Sequence, residues 1–137
     1  MSGGARTSLC TLAEARSRLA TARAYLETAE LVLSERERDE FLSVSAGAAV
    51  LAGIGASDAI CCARLGRRHR GEDHRGAAGL LEQATPDGQK LATCLLRLLD
   101  VKDAAHYGVV VISPRGARDA VKWANRLVER AREEIER

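Results

Sequence analysis

Apolar residues recur along most of the chain in steps of three and four, the spacing of one face of an α-helix. Leu12, Ala15, Leu19, Ala22, Leu26, Ala29 and Leu33 form the clearest seam and predict a first helix running to about Glu37. Charged residues 35–40 close it, and a second helix is predicted over Asp39–Leu65. Residues 46–56 in its middle are nearly all small or aliphatic. Glycine inside a helix costs about 1 kcal/mol against alanine, and close approach of a neighbouring helix is the usual compensation. The second helix is therefore expected at the centre of the fold.

Residues 66–76 read as a polar loop bounded by glycines, followed by a short helix over 77–84. Pro86-Asp87-Gly88 makes a turn, with Asp87 placed to cap a helix over 89–107. Gly108 stops that helix, and the short apolar run 109–112 is expected to be a connector rather than a strand. Ser113 and Pro114 are an N-cap and a first-turn proline. After them Ala117, Ala120, Val121, Ala124, Leu127, Val128, Ala131 and Ile135 resume the helical spacing. The pattern predicts an all-α, up-and-down bundle of four or five helices. Residues 9–137 form its single domain, and residues 1–8 form a frayed, disordered N-terminus.

Composition narrows this picture. Only 3% of residues are aromatic, so the core has to be built from Leu, Ala, Val and Ile, and the isolated Tyr25 and Trp123 are expected to serve packing. The formal net charge of +2 is too small to draw nucleic acid by overall field alone. The four cysteines, Cys10, Cys61, Cys62 and Cys94, contain no CxxC pair. No secretory apolar segment and no uninterrupted apolar run of roughly 18 residues is present. These features predict buried thiols in a reducing cytoplasm and no membrane span.

Asp58 is the odd residue of the second helix, on a face otherwise formed by Leu51, Gly55, Cys62 and Leu65. A carboxylate there requires a cation or hydrogen bonds. On the helix over 89–107, Leu91, Leu95, Leu98 and Ala105 form one stripe. Lys102 falls on that stripe, and His106 lies beside it one turn on. Asp103 and Tyr107 lie nearly opposite, with Leu96 and Leu99. A helix apolar on two sides is either central or touches a second subunit, so a homodimer through this helix and the second one is expected. The alternative is a satisfied polar network of Asp58, Lys102 and His106 inside the bundle.

The loop contributes five arginines, Arg64, Arg67, Arg68, Arg70 and Arg75, which against Glu72 and Asp73 leave a local +3. They suit phosphate oxygens, and they also suit the C-terminal end of a helix dipole in a solvated loop. No aromatic residue is interleaved to stack bases. Cys61, Cys62, His69 and His74 fit no tetrahedral ligand spacing, so no metal is expected. No phosphate-binding glycine loop, dinucleotide fingerprint or nucleophile triad occurs, and no cofactor is expected.

Several helices and a late segment of basic residue, polar residue, a few positions and histidine resemble the HEPN superfamily, named for nucleotide binding in higher eukaryotes and prokaryotes. The matching segment is Lys102-Asp103-Ala104-Ala105-His106-Tyr107. Lysine stands where the family usually has arginine, and three residues separate it from His106. With Tyr107 in the histidine position the spacing fits and the residue differs. The resemblance implies a helical bundle, and in members with an intact motif a metal-independent ribonuclease, often a toxin, with a composite site at a dimer interface. On that basis Lys102, His106 and Tyr107 would be the catalytic set, with Asp103 and Asp58 as supporting polar groups. Histidine can move protons near pH 7; tyrosine, with an ordinary pKa of about 10, is a poor substitute. The expected function is a HEPN-like module that binds a nucleotide or RNA phosphate without efficient catalysis. The alternatives are a metal-independent endoribonuclease and a non-catalytic dimeric interaction protein.

Overall fold

A computed structural model describes residues 6–35, 38–71, 73–107 and 111–136, the side chains of residues 35 and 105–107 excepted. Among the described residues the elements are β1 (Thr7–Leu9), α1 (Leu12–Glu35), α2 (Asp39–Leu65), β2 (Arg67–His69), α3 (Arg75–Ala84), α4 (Gly88–Tyr107) and α5 (Pro114–Ile135). This is the all-α bundle that the apolar spacing predicts, with one small addition. β1 and β2 pair antiparallel, Thr7 opposite His69 and Leu9 opposite Arg67.

That pairing corrects two expectations. Thr7 and Ser8 are tied into a strand instead of fraying, and the loop over 66–76 carries the partner strand. Backbone bonds extend the ladder at both ends, from Cys10 N–H to Gly66 O and from Arg70 N–H to Arg6 O. Gly66 makes the strand possible. It ends α2 in the left-handed region (φ 70°) and donates its N–H to Cys62 O, a conformation that costs glycine little.

The α1 seam is buried as its spacing requires: Ala15, Leu19, Ala22, Leu26 and Ala29 are each at most 6% exposed. Its first member, Leu12, faces solvent. α2 packs against α1, α3, α4 and α5 and is the central helix. Its Gly53 shows why small residues fill it, because a Cβ there would run into the Leu98 side chain of α4 and sit 3.4 Å from Leu127 Cδ1 of α5. The small residue thus lets three helices meet at one point. α2 is also long and apolar enough to cross a membrane, but 67% of that window is buried inside the bundle. The apolar length accordingly fits a core helix.

α5 begins as its sequence predicts, with Ser113 Oγ accepting from Gly116 N–H at 2.9 Å and Pro114 in the first turn. Asp87, expected to cap α4, instead accepts from Thr85 and Arg130 through its carboxylate. α4 is apolar on two sides because α3 packs on it as well as α2 and α5; Leu98 and Leu99 are both buried. The two-sidedness is therefore met within one chain. Gly108, the expected stop of that helix, and residues 109–110 of the expected connector lie outside the described residues, as do the side chains of His106 and Tyr107.

The cysteines depart from expectation. Cys10 and Cys62 form a disulfide with Cα atoms 5.6 Å apart, which fixes the end of β1 to the last turn of α2. Cys61 and Cys94 are free and buried. Burial, aided by the nearby Asp58 charge, pushes the Cys61 thiol up to about 12, so it stays protonated and is a poor nucleophile.

Candidate functional site: a cationic groove and a buried carboxylate

Asp58 sits on α2 one turn before the disulfide, 8% exposed. Its cation comes from α1, with Arg18 Nη1 3.4 Å from its carboxylate. Arg68 and His69 of β2 supply further positive potential. Desolvation outweighs all three, and the Asp58 carboxyl is raised above its ordinary value. The sequence signal for Arg18 was weak but present: it is three residues from Ala15 and four from Ala22, at the edge of the buried seam. Both ring nitrogens of His69 are buried without a hydrogen-bond partner. The ring lies over Gly76, where an added Cβ would be 2.7 Å from His69 Cε1. Glycine at the start of α3 is therefore what lets β2 turn its histidine inward.

A raised carboxyl fixes the sign of a pH effect. The folded state holds the Asp58 proton more tightly than the unfolded chain, so this residue's share of stability is greatest in acid and falls as pH rises through the folded-state pKa. Asp58→Asn, which mimics the protonated form, is expected to be at least as stable as the wild type at pH 7 and to lose that slope. Thermal melts of both proteins between pH 4 and 7 read the difference, and a clearly less stable variant at pH 7 would contradict it.

Lys102 does not join Asp58. It is exposed and lines a groove of about 300 Å³ with Gly47, Val50, Leu51, Ile54, His74 and Val101. Val50 is roughly 12 Å along the α2 axis from Asp58, and no contact between Asp58 and Lys102 occurs among the described residues. The polar network expected as an alternative is thus replaced by Asp58 with Arg18. Lys102 has no ion-pair partner among the described residues, because the neighbouring carboxylates are taken. Asp100 and Asp103 both accept from Arg75 Nη2, at 2.8 and 2.7 Å. α4 continues to Tyr107, so the backbone of His106 follows Lys102 by one turn.

The five loop arginines divide by what holds them. Arg64 donates to Ala84 O and to Glu134, whose side chain is only 1% exposed, and so braces the fold. Arg75 fastens the end of the loop to the turn of α4 that carries Lys102. Arg68 is half-buried and directed toward Asp58 and His69 O. Arg67 and Arg70 are exposed and make no ion pair among the described residues. His74, between Arg70 and Arg75, reaches the Lys102 groove, a placement that nothing in its local sequence announces.

The groove can take an anion: an ammonium and an imidazole stand at the rim of an apolar trough, with Arg67 and Arg70 on the adjoining loop. No group of histidine, cysteine and carboxylate side chains that could hold a metal occurs among the described residues, and Cys62 is committed to its disulfide. Along α2 the trough continues into a groove of about 520 Å³ against α1, where Glu14, Arg18, Thr21 and Tyr25 face Leu51 and Ile54. Tyr25 is 38% exposed there, at a groove wall and not in the core. No family model matches this sequence, and no curated protein matches it either.

Proposed function

We propose that the chain is a HEPN-like helical module that binds a nucleotide or RNA phosphate at the Lys102 groove. The observation that supports this is the Lys102 ammonium beside His74, without an ion-pair partner among the described residues, while Arg75 draws the arginine loop onto the same turn of α4. Lysine offers phosphate a point charge, and the apolar trough formed by Val50, Leu51, Ile54 and Val101 suits a base or sugar face. The proposal sets the protein in the cytoplasm, where thiol reductants would act on the Cys10–Cys62 bond.

A second copy belongs to the same proposal. Val44 and Leu51 of α2 are 54% and 47% exposed, in line with the small residue Gly47, and a two-fold pairing over this face would cover them. It would also place two Lys102 grooves at one interface, as the HEPN resemblance implies. Catalysis is not part of the proposal; a ribonuclease would use His106 or Tyr107 for proton transfer next to Lys102.

One set of samples tests these points. Nucleoside monophosphates and RNA are expected to raise the melting temperature of the wild type, by about 2.7 kcal/mol of added stability at a hundredfold excess over the dissociation constant. Lys102→Met is expected to lose most of the shift given by nucleoside monophosphates. Sedimentation of the wild type at increasing concentration should show a dimer that Leu51→Glu abolishes. Cleavage of total RNA lost in both His106→Ala and Lys102→Ala would add the nuclease activity. No melting shift with any phosphate ligand would sink the proposal.

A further inference from the structure

A different surface carries a separate site. α4 and α5 run antiparallel, with Asp87 opposite Arg130 and Arg97 opposite Trp123. Between them lies a groove of about 270 Å³ lined by Lys90 and Arg97 from α4 and by Lys122, Trp123 and Arg126 from α5, with Cys94 at its floor. Four cations line it and no carboxylate does. None of the four has an ion-pair partner among the described residues. Two other arginines of α5 do have partners: Arg130 is held by Asp87 and Glu134, and Arg132 by Glu129 and Glu136. Asp87, Glu129 and Glu133 line the adjoining cleft, which shares Lys90, Lys122 and Arg126 with this groove, but none of them pairs with these cations.

Solvation of a helix face does not account for this convergence. Two of the three lysines in the chain lie here, on facing banks, where like charges repel unless an anion enters. Lys90 and Arg97 are seven residues apart on one face, about 10 Å along the axis. Lys122 and Arg126 are one turn apart. Such spacing matches a linear polyanion better than a single small ion. The only tryptophan lies among these cations, half-buried, with the Arg97 guanidinium 5.7 Å over its ring. Cations that track a backbone beside an aromatic ring are the combination that holds unpaired nucleotides. A duplex would offer the ring no free base.

We propose that the α4–α5 groove is a binding track for single-stranded nucleic acid, with Lys90, Arg97, Lys122 and Arg126 on phosphates and Trp123 against a base. The groove shares no lining residue with the Lys102 site, so the two can fail separately. Because the protein has one tryptophan, its fluorescence reports this groove directly. Titration with an oligouridylate of about a dozen nucleotides is expected to quench that fluorescence saturably in the wild type and in Lys102→Met. Lys122→Glu combined with Arg126→Glu is expected to weaken the quenching at least tenfold and to lower the salt slope of binding by about 2. Both side chains are exposed, so the circular dichroism spectrum should not change. An oligoglutamate of equal charge is expected to leave the fluorescence unaltered. No quenching in the wild type, quenching that survives the double reversal, or equal quenching by oligoglutamate would each overturn the proposal. Loss of the nucleoside-monophosphate melting shift in Lys102→Met with the tryptophan signal intact would leave this groove supported on its own.

Discussion

Reduction of the Cys10–Cys62 disulfide is expected to lower the stability of the protein by up to about 4 kcal/mol. The bond closes a loop of 52 residues, and the loss of unfolded-chain entropy for loops of that length lies between about 3 and 4.7 kcal/mol. For a chain of this size the melting temperature should fall by on the order of 10–15 °C. Little else holds the N-terminal strand. β1 meets only β2, through three residue pairs, and Leu9 is 89% exposed. Melts with and without a phosphine reductant measure the effect. Cys10→Ser should match the reduced wild type and ignore the reductant. Equal melting temperatures in both redox states would show that the tether does not constrain the unfolded chain. The buried, protonated Cys61 thiol next to the bond should not reshuffle it.

The second large effect is expected at the far end of α5. Glu134 receives Arg64 Nη1 at 3.1 Å and Arg130 Nε at 3.0 Å, and Arg130 Nη1 reaches Asp87 at 2.6 Å. The network joins the ends of α2 and α5 to the turn before α4. Burial acts to raise the Asp87 carboxyl, and the hydrogen bonds from Arg130 and Thr85 together outweigh it, so the group is held below its ordinary range. Replacing Arg64 and Arg130 together by methionine leaves the Glu134 carboxylate buried without these two cations. The expected cost is about 3–5 kcal/mol, read by urea unfolding. Adding Glu134→Met should restore most of it, because an apolar triad of similar volume often does as well as a buried ionic one. A double variant as stable as the wild type would mean that Glu134 finds water or another cation.

How much of this was legible in the sequence depends on the range of each interaction. The seams of α1 and α5 follow from helical periodicity, and Ala15 to Ala29 and Ala117 to Ile135 are buried where their spacing puts them. Ser113 caps its own helix three residues away, so its role is local and readable. β1 and β2 are three residues each, too short for an alternating pattern, and one of them is mostly arginine. The Cys10–Cys62 pairing links residues far apart in the chain, and four cysteines alone do not choose it. Asp58 stands out as a charge on an apolar face, but its cation, Arg18, comes from α1 and not from the helix that carries Lys102. Among the loop arginines, sequence could not separate Arg64, bound to Glu134 of α5, from the exposed Arg67. The Lys90–Arg126 groove requires knowing that α4 and α5 are antiparallel neighbours.

The central claim, a phosphate site at Lys102, is tested most directly by titrating labelled RNA over a salt series against the Lys122→Glu/Arg126→Glu protein with and without Lys102→Met, so that the α4–α5 groove does not mask the result. The proposed site requires the form with Lys102→Met to bind about tenfold or more weakly, the scale of one charge-assisted hydrogen bond, with a salt slope smaller by about 1. Equal affinities and equal slopes for the two proteins would contradict it.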